Sequence, residues 1–426
     1  MIPGAGSSAL VIGLGLSGVA LARFLYQRGV SVRVADRRGL DQLAGFAALL
    51  PEGVKVVGGG YGEASLEGCD AVYASPGVPW DTEVLEVARG RGLVVSSEVD
   101  VFFQLCPAEI VAITGTNGKT TTTALTGAVL TAGDRPVLVG GNIGATVLDR
   151  LPEITDRHRV VLELSSFQLE SIELPRPKLG AILNITPDHL DRHHTMEAYV
   201  AAKARAVRFQ EEGDWAVLNG SDQRCRSLAR STRAQVVWFD EHRPLPPMPI
   251  PGRHNLENAQ AAAAIGRIAG LSDHQIENAI AGFPGVEHRL ELVGEWDGVR
   301  WYNDSKATNP DAAEVGLSAF EGSPVILIAG GYGSGFELDS WLREVRRATR
   351  AVILLGASAE LLEAQLSGHP TRRADSIEEA TAAALEMART GDVVLLSPGY
   401  KSYDMFHSYE DRGRQFKAAV RACHGS

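Results

Sequence analysis

The sequence predicts an α/β protein of three domains, in which helices pack on the faces of parallel β-sheets. Short apolar runs alternate with helical stretches along the chain, which is typical of β-α-β units. Several of these runs are apolar without interruption, as expected for strands buried on both faces. A chain of 426 residues is also too long for one ordinary hydrophobic core, which favours more than one domain.

The composition is that of an ordinary soluble globular protein, with 22% charged and 45% apolar residues. The formal net charge of −11 argues against nucleic-acid binding, because such binding favours a basic face. The four cysteines form no CxxC pattern, and no apolar run approaches the length of a membrane span. We therefore expect a cytoplasmic protein with small-molecule partners and neither a nucleic-acid nor a membrane partner. We also expect a monomer.

The first predicted domain covers residues 1–107. Its strands are predicted at residues 10–12, 31–35, 71–74 and 93–95, and a helix is predicted over residues 19–28. Residues 13–18 between the first strand and this helix read GLGLSG, and Asp36 follows 18 residues later. This pattern is typical of a turn that binds a dinucleotide, with the acidic residue near a ribose or base. NAD, another nucleotide diphosphate and a purely structural turn remain open, and Ser75 lies where a second loop could reach the same phosphates.

The second predicted domain covers residues 108–284. Its strands are predicted at residues 110–114, 137–139, 160–164, 180–184, 215–218 and 236–239, and a helix is predicted over residues 255–268. Residues 113–121 read ITGTNGKTT and join the first of these strands to a helix. Such a turn points backbone N–H groups and a positive helix end at one spot, which suits a phosphate. ATP is favoured over a plain Gly/Thr turn, although only two residues separate the glycines where a standard P-loop has four.

Polar residues follow the strands of this domain. In the phosphate loop, Lys119 would reach the β- and γ-phosphates, and the Thr120 hydroxyl would bind Mg²⁺. Glu163 ends a buried strand, where a charge is costly unless it is paired or bound to a metal, so it is a candidate Mg²⁺ ligand or else a helix-start carboxylate. Residues 184–194 contain three histidines, and one of them in a magnesium shell is favoured over a zinc site or solvated loop histidines. Lys203 lies on a helical pattern, and composition alone predicts a surface lysine.

The third predicted domain covers residues 285–426, with strands predicted at residues 325–329, 351–355 and 393–396. Motifs of this domain and of the second one resemble the Mur ligases of peptidoglycan synthesis. The resemblance rests on ITGTNGKTT at 113–121, ELSSFQLE at 163–170, NITPDHLD at 184–191, Lys203, PGRHNLENA at 251–259, His288 with Arg289, NDSKATN at 303–309, and LSP at 396–398 with DRG at 411–413. These motifs occur in the family's order over nearly the whole chain.

The resemblance implies an ATP-dependent amide ligase of cytoplasmic peptidoglycan precursor synthesis. Such an enzyme would add D-glutamate to UDP-N-acetylmuramoyl-L-alanine through an acyl phosphate and release ADP and phosphate. It implies a Rossmann-like N-terminal domain, a central ATPase domain of P-loop type and a Rossmann-like C-terminal domain. The implied cofactors are ATP, two Mg²⁺ ions and a CO₂-derived carbamate on Lys203.

The resemblance also implies a role for individual residues. The catalytic set is Lys119, Glu163, His189, Lys203 and Arg289. The ATP contacts are Gly115, Thr116, Asn117, Gly118, Lys119, Thr120, Thr121, Asn258, Arg289, Asp304 and Lys306. The UDP-substrate contacts are Gly15, Leu16, Ser17, Asp36, Arg37, Ser75, Asn142 and His189. The amino-acid contacts are Thr308, Ser402, Tyr403 and Tyr409, to which we add Lys401 as a hypothesis of our own. The metal ligands are Thr120, Glu163, His189 and carbamylated Lys203.

One loop departs from the family pattern. The family usually has a lysine that binds the amino-acid carboxylate in the glycine-rich loop after the strand at 325–329, and here residues 330–335 read GGYGSG. We hypothesise that Lys401 supplies this charge from the opposite side. The alternatives are a related ligase with another amino acid or a folate-type acceptor, an NAD-dependent oxidoreductase built on the first domain, and a non-catalytic nucleotide-binding regulator. The oxidoreductase leaves the phosphate loop and Glu163 unexplained, and the C-terminal motif argues against folate.

Overall fold

The structure is a computed structural model that describes residues 2–143, 146–239, 244–248, 250–333 and 335–425. Ser334 of the glycine-rich loop therefore lies outside the described residues. The chain forms two compact units, one made of residues 1–245 with 257–279 and the other of residues 246–256 with 280–426. The first two predicted domains fall largely in the first unit, and the domain boundaries near residues 107 and 284 stay predictions.

The first sheet of the described chain is parallel throughout and has the order β3-β2-β1-β4-β5. Its strands are β1 Ser8–Ile12, β2 Ser31–Ala35, β3 Lys55–Val57, β4 Ala71–Ala74 and β5 Val94–Ser96. The helices are α1 Leu16–Gln27, α2 Leu40–Ala47, α3 Glu83–Gly90 and α4 Glu98–Leu105, with a 3₁₀ turn at Glu63–Leu66. The strand order reverses between β1 and β4, and a ligand crevice is expected at the carboxyl ends of two such strands.

The second sheet, counted over the described residues, is also parallel, with the order β11-β10-β9-β6-β8-β7. Its strands are β6 Glu109–Thr114, β7 Val137–Gly141, β8 Arg159–Glu163, β9 Leu179–Ile182, β10 Trp215–Asn219 and β11 Gln235–Phe239. The helices are α5 Lys119–Thr131, α6 Val147–Arg150, α7 Ser166–Ser171, α8 Leu190–His193, α9 Met196–Arg208, α10 Gln223–Leu228, α11 Arg253–Ile268 and α12 Asp273–Ala281, with 3₁₀ turns at Leu151–Glu153 and Ala229–Ser231. Because β6 lies between β9 and β8, the loops that follow these three strands meet at one edge.

The third sheet belongs to the second unit and has, within the described chain, the order β12-β13-β17-β14-β15-β16. Its strands are β12 Glu291–Trp296, β13 Val299–Asn303, β14 Val325–Gly330, β15 Thr349–Leu355, β16 Thr371–Arg373 and β17 Val393–Leu396. The helices are α13 Pro310–Ser318, α14 Asp339–Ala348, α15 Ala359–Gln365, α16 Ile377–Met387 and α17 Tyr409–Cys423. The hairpin of β12 and β13 is antiparallel, and the other pairs are parallel.

The structure confirms the α/β class and every predicted strand. The strands predicted at 31–35, 71–74 and 393–396 are confirmed to the residue, and the others agree within two residues at each end. The strands β3, β12, β13 and β16 were not predicted, because they are short or interrupted by charged and glycine residues and lack a continuous apolar run. Among the described residues, no helix combines the length and the apolar character that crossing a membrane requires.

Candidate functional site

A cavity of about 450 Å³ opens at the carboxyl ends of β1 and β4, where the strand order reverses. The residues predicted to bind a nucleotide there all line it: Gly15, Leu16, Ser17, Asp36, Arg37 and Ser75. The other two predicted contacts of this substrate, Asn142 and His189, are not among its lining residues. Six residues that were predicted from the sequence therefore line one cavity, and the structure shows that Arg38 and Tyr61 line it as well.

Asp36 is hydrogen-bonded to the glycine-rich turn at residues 13–18 and to Arg38. Its carboxylate accepts a hydrogen bond from the Leu14 N–H at 2.7 Å and bonds from Nε and Nη2 of Arg38 at 3.0 and 2.8 Å. The Arg38 hydrogen bond is the main reason that the pKa of Asp36 lies well below its usual range. The Ser75 hydroxyl donates to the Gly13 carbonyl at 2.7 Å, so the second loop is bonded to the first.

Replacing Gly18 with alanine is expected to destabilise the protein by about 1–3 kcal/mol, because a Cβ there would lie 2.1 Å from the Gly13 carbonyl oxygen. The matched control is Gly15→Ala, since a Cβ at position 15 meets nothing within 4 Å. Urea unfolding followed by circular dichroism measures both variants. Equal free energies of unfolding for the two variants would contradict the close approach of the turn to α1.

The phosphate loop connects β6 to α5. Gly118 precedes the helix with a φ of +81°, and a Cβ there would lie 2.3 Å from the Asn258 side-chain oxygen, so both backbone and space favour glycine. Asn258 also accepts a hydrogen bond from the Thr122 hydroxyl at 3.0 Å, which brings this predicted ATP contact against the loop. The Thr116 and Asn117 N–H groups donate to the backbone and side-chain oxygens of Asn184. Thr120 and Thr121 are buried behind the loop.

Lys203 is buried beneath the phosphate loop. Its side chain is on α9 and only 1% exposed, and its Nζ donates to the Gly115 carbonyl at 2.7 Å. Lys119 Nζ donates to the same carbonyl at 2.9 Å, so the two amines lie close together. Burial, and then the charge of Lys119, lower the pKa of Lys203 well below its usual range. The surface position that composition predicts for Lys203 is therefore wrong.

Glu163 ends β8, next to the strand that leads into the phosphate loop. The residue is 2% exposed, and its Oε1 accepts a hydrogen bond from the Asn142 side chain at 3.1 Å. Its Oε2 is buried and has no hydrogen-bond partner in the described part of the chain. A buried carboxylate oxygen without a partner is costly, and a bound cation would remove that cost. This observation fits a metal ligand better than a helix-start carboxylate.

The histidines after β9 separate into exposed and buried ones. His189 is exposed and has a φ of +51°, and its ring centroid lies 4.9 Å from that of Phe167. His193 is buried: its Nε2 lies 2.9 Å from the Ser166 hydroxyl, and its Nδ1 lies 3.0 Å from Glu170. Burial is the main cause that lowers the pKa of His193 to about 4. Sequence reasoning missed this neutral histidine, since only the tertiary contacts distinguish it from its neighbours.

The second unit brings together three of the predicted ATP contacts at the carboxyl ends of β13 and β17. Asp304 is buried, and it accepts hydrogen bonds from the Ser397 hydroxyl at 2.8 Å and the Leu290 N–H at 3.2 Å. Burial raises the pKa of Asp304 to about 7, against the opposing effects of Ser397 and the Arg289 charge. The Arg289 Nε is buried without a hydrogen-bond partner among the described residues, which leaves a donor for an anion. The Lys306 N–H donates to the His288 carbonyl at 3.1 Å.

The predicted amino-acid contacts lie on the same edge of this sheet. Lys401 and Tyr332 exchange two backbone hydrogen bonds of 2.8 and 3.1 Å, which places Lys401 opposite the glycine-rich loop. The Lys401 and Tyr403 side chains are exposed, whereas Ser402 is buried. Thr308 is half-buried, and Tyr409 begins α17 with its ring centroid 5.9 Å from the Lys306 ammonium.

Family models and curated relatives agree with this architecture. A MurD-like N-terminal domain of Mur ligases matches residues 7–97, a Mur ligase middle domain matches residues 113–245, and a Mur ligase glutamate ligase domain matches residues 288–399. The chain is 41% identical to the UDP-N-acetylmuramoylalanine--D-glutamate ligase of Koribacter versatilis, over 98% of this chain and 97% of the relative. It is likewise 41% identical to the ligase of that name from Pelotomaculum thermopropionicum, over 96% of each.

Solved structures show the same fold at lower identity. The UDP-N-acetylmuramate-alanine ligase MurC of Thermotoga maritima matches with a TM-score of 0.60 and 19% identity, over 98% of this chain and 99% of that one. The MurF ligase of the same organism, solved in complex with ADP, matches with a TM-score of 0.59 and 18% identity, over 85% and 91%. From the three matched domains and the nearly full-length relatives, we conclude that this chain belongs to the Mur ligase family.

Proposed function

We propose that this protein is an ATP-dependent ligase that joins D-glutamate to UDP-N-acetylmuramoyl-L-alanine. The proposal rests on three side chains beside the phosphate loop. The amines of Lys119 and Lys203 both donate to the Gly115 carbonyl, and the buried Oε2 of Glu163 has no hydrogen-bond partner among the described residues. This group fits a triphosphate and its cations. The curated relatives carry the name of the D-glutamate ligase, and that name supplies the substrates.

The reaction that we propose has two steps. The alanyl carboxylate of the UDP substrate attacks the γ-phosphorus of ATP, the bond to the β-phosphate oxygen breaks, and an acyl phosphate and ADP form. The amine of D-glutamate then attacks the acyl carbon and loses a proton, and inorganic phosphate leaves as the amide forms. Lys119 and Arg289 would offset the repulsion among these anions, so that positioning and electrostatics supply most of the rate enhancement.

Mg²⁺ fits the oxygen-rich part of the site. Thr120, Glu163 and a carbamate on Lys203 would offer the oxygen ligands that Mg²⁺ prefers, with His189 as a further candidate, and we propose two ions. When bound, Mg²⁺ would neutralise phosphate charge and orient the γ-phosphate. The unpartnered Glu163 Oε2 is the structural reason to expect a cation at this strand end.

Lys203 has the properties that carbamylation requires. The neutral amine attacks the carbon of CO₂, a C–N bond forms, and a proton leaves to give a carbamate anion. Burial beside Lys119 lowers the pKa of Lys203 and so raises the share of the neutral amine at neutral pH. The product would place an anion beside the Lys119 ammonium instead of a neutral amine.

The cavity beside the turn at 13–18 is proposed to hold the UDP group, with the diphosphate at the start of α1 and the uracil near Asp36 and Arg37. The Asp36 oxygens are already bonded to Arg38 and the loop N–H, so Arg38 and Tyr61 are added as candidate contacts. We place the reaction in the cytoplasm. We also expect a monomer, and gel filtration would test this oligomeric state.

Replacing Lys401 with alanine is expected to raise the apparent KM for the amino acid about tenfold or more, because a surface-accessible ammonium opposite the glycine-rich loop would be lost. Lys401→Arg keeps the positive charge and should change KM much less. Steady-state kinetics at saturating ATP measures both variants. An unchanged KM in Lys401→Ala would exclude Lys401 as the group that binds the carboxylate.

The proposed function is tested by phosphate release from ATP in the presence of UDP-N-acetylmuramoyl-L-alanine and Mg²⁺, with a panel of D- and L-amino acids. We expect release that depends on D-glutamate. Release that depends on another amino acid would keep the mechanism and change the acceptor. The absence of release with every amino acid would overturn the proposed function.

A further inference from the structure

Arg412 is a buried cation to which the reaction proposed above assigns no role. It lies in the first turn of α17 and is 1% exposed. Among the described residues, its hydrogen-bond acceptors are one hydroxyl and two carbonyls, and none is a carboxylate. Burial lowers the pKa of Arg412 to about 10, against the opposing effect of the Asp404 charge, so the guanidinium still carries its charge at neutral pH.

The guanidinium is bonded to the main chain of two separate segments. Its Nε donates to the Ser305 hydroxyl and its Nη2 to the Ser305 carbonyl, both at 2.9 Å. Its Nη1 and Nη2 both donate to the Tyr400 carbonyl at 3.1 Å. The Ser305 hydroxyl donates onward to the Tyr409 carbonyl at 2.8 Å, so a third segment joins the same network.

Each of these segments carries predicted substrate contacts. Ser305 lies between Asp304 and Lys306, which are assigned to ATP. Tyr400 directly precedes Lys401 and Ser402, and Tyr409 is itself an amino-acid contact. The Arg412 guanidinium therefore donates hydrogen bonds to the backbone of two segments, one with the predicted ATP contacts of this unit and one with its predicted amino-acid contacts.

A buried charge that is not bonded to a carboxylate is costly, and the Asp404 charge offsets that cost only in part, because burial outweighs it. A well-packed apolar side chain could fill the same volume at lower cost. The planar fork of arginine can bond several carbonyls in a fixed geometry, which a single ammonium or an apolar group cannot do. We therefore explain the presence of a costly buried arginine by the fixed arrangement that its planar guanidinium gives to the Ser305 and Tyr400 carbonyls.

We propose that Arg412 is a positioning residue that holds the ATP segment at 304–306 and the amino-acid segment at 400–402 in one arrangement. The inference rests on the proposed function, because the roles of the two segments come from it. It predicts that the affinities for ATP and for the amino acid depend together on Arg412, whereas the affinity for the UDP substrate does not.

The test compares Arg412→Lys with Arg350→Lys. Lysine at 412 keeps the charge but cannot span Ser305 and Tyr400. We expect KM for ATP and KM for D-glutamate each to rise about tenfold, with the Kd of the UDP substrate unchanged by calorimetry. Arg350 lies at the start of β15, at the end of the sheet away from the carboxyl ends of β13 and β17, and it pairs with Asp392. The Arg350→Lys variant should therefore lower thermal stability without changing either KM.

Ser305→Ala is a milder second variant, which removes the hydroxyl link and leaves the bonds from Arg412 to the two carbonyls. Both KM values should rise about threefold, and this variant decides the question if Arg412→Lys does not fold. Unchanged KM values in a folded Arg412→Lys variant, or in Ser305→Ala, would overturn the positioning role while wild-type activity remains. A wild-type protein that releases no phosphate with any amino acid would overturn the proposed function, and this inference with it.

Discussion

Lys203→Ala is expected to lower turnover at least about a hundredfold, because it removes the buried amine and the carbamate that would form on it. Phosphate release at saturating substrates measures the loss. The alanine also leaves space for a small anion, so added acetate or formate is expected to restore part of the activity. Protein prepared with ¹³CO₂ should show a carbamate signal by NMR in the wild type and none in the variant.

The control for this variant is Arg208→Ala, which removes an exposed cation from the last turn of the same helix. It should retain wild-type turnover and show no response to acetate. If Lys203→Ala retains turnover, or if acetate has no effect and the wild type lacks the ¹³C signal, Lys203 is a structural lysine that only supports the phosphate loop through Gly115.

Glu163→Gln is the second large effect that we expect, with turnover reduced on the order of 10²-fold to 10³-fold. The amide has almost the same size as the carboxyl and can still accept the hydrogen bond from Asn142, but it lacks the negative charge. The Mg²⁺ concentration at half-maximal activity should rise about tenfold or more. A Mg²⁺ titration of phosphate release measures both quantities.

The stability of the metal-free Glu163→Gln variant should rise, although its turnover falls. Without metal, the wild-type protein buries a carboxylate oxygen that has no described partner, and the Glu163→Gln substitution would remove that charge, so the variant should unfold at a higher urea concentration. Glu109→Gln is the matched control, because Glu109 starts β6 at the other end of the sheet and pairs with Arg135 and Arg159. A Mg²⁺ dependence of Glu163→Gln equal to that of the wild type would show that Glu163 binds no catalytic cation.

The fold was predictable wherever burial leaves a local signal. Strands such as β14, β15 and β17 are buried on both faces, and continuous apolar runs such as VILIAG identify them without any partner. The strand β16 at the edge of the same sheet reads TRR, and its position follows only from pairing with β15. The strands of the hairpin β12–β13 read ELVGEW and VRWYN, and their mixture of apolar, charged and glycine residues is a weaker signal than a continuous apolar run.

The candidate site was predictable where motifs follow strands, because parallel strands bring their carboxyl ends to one edge of a sheet. The turn at 13–18, the loop at 113–121 and Glu163 fall in this class. Ser75 and Asp36 likewise line the first cavity as the spacing of strand and loop indicates. The assigned roles of these residues stay predictions until the variants above are measured.

The sequence alone determined the α/β class, the positions of the strands other than β3, β12, β13 and β16, and the position of the phosphate loop, since each depends on residues close together in the chain. Only the tertiary structure decided that Lys203 is buried against Gly115, 88 residues away, that one oxygen of Glu163 lacks a described partner, and that Arg412 is bonded to Ser305, 107 residues away. Burial, pKa shifts and hydrogen-bond partners arise from contacts between distant segments. No pattern within one helix or strand encodes them.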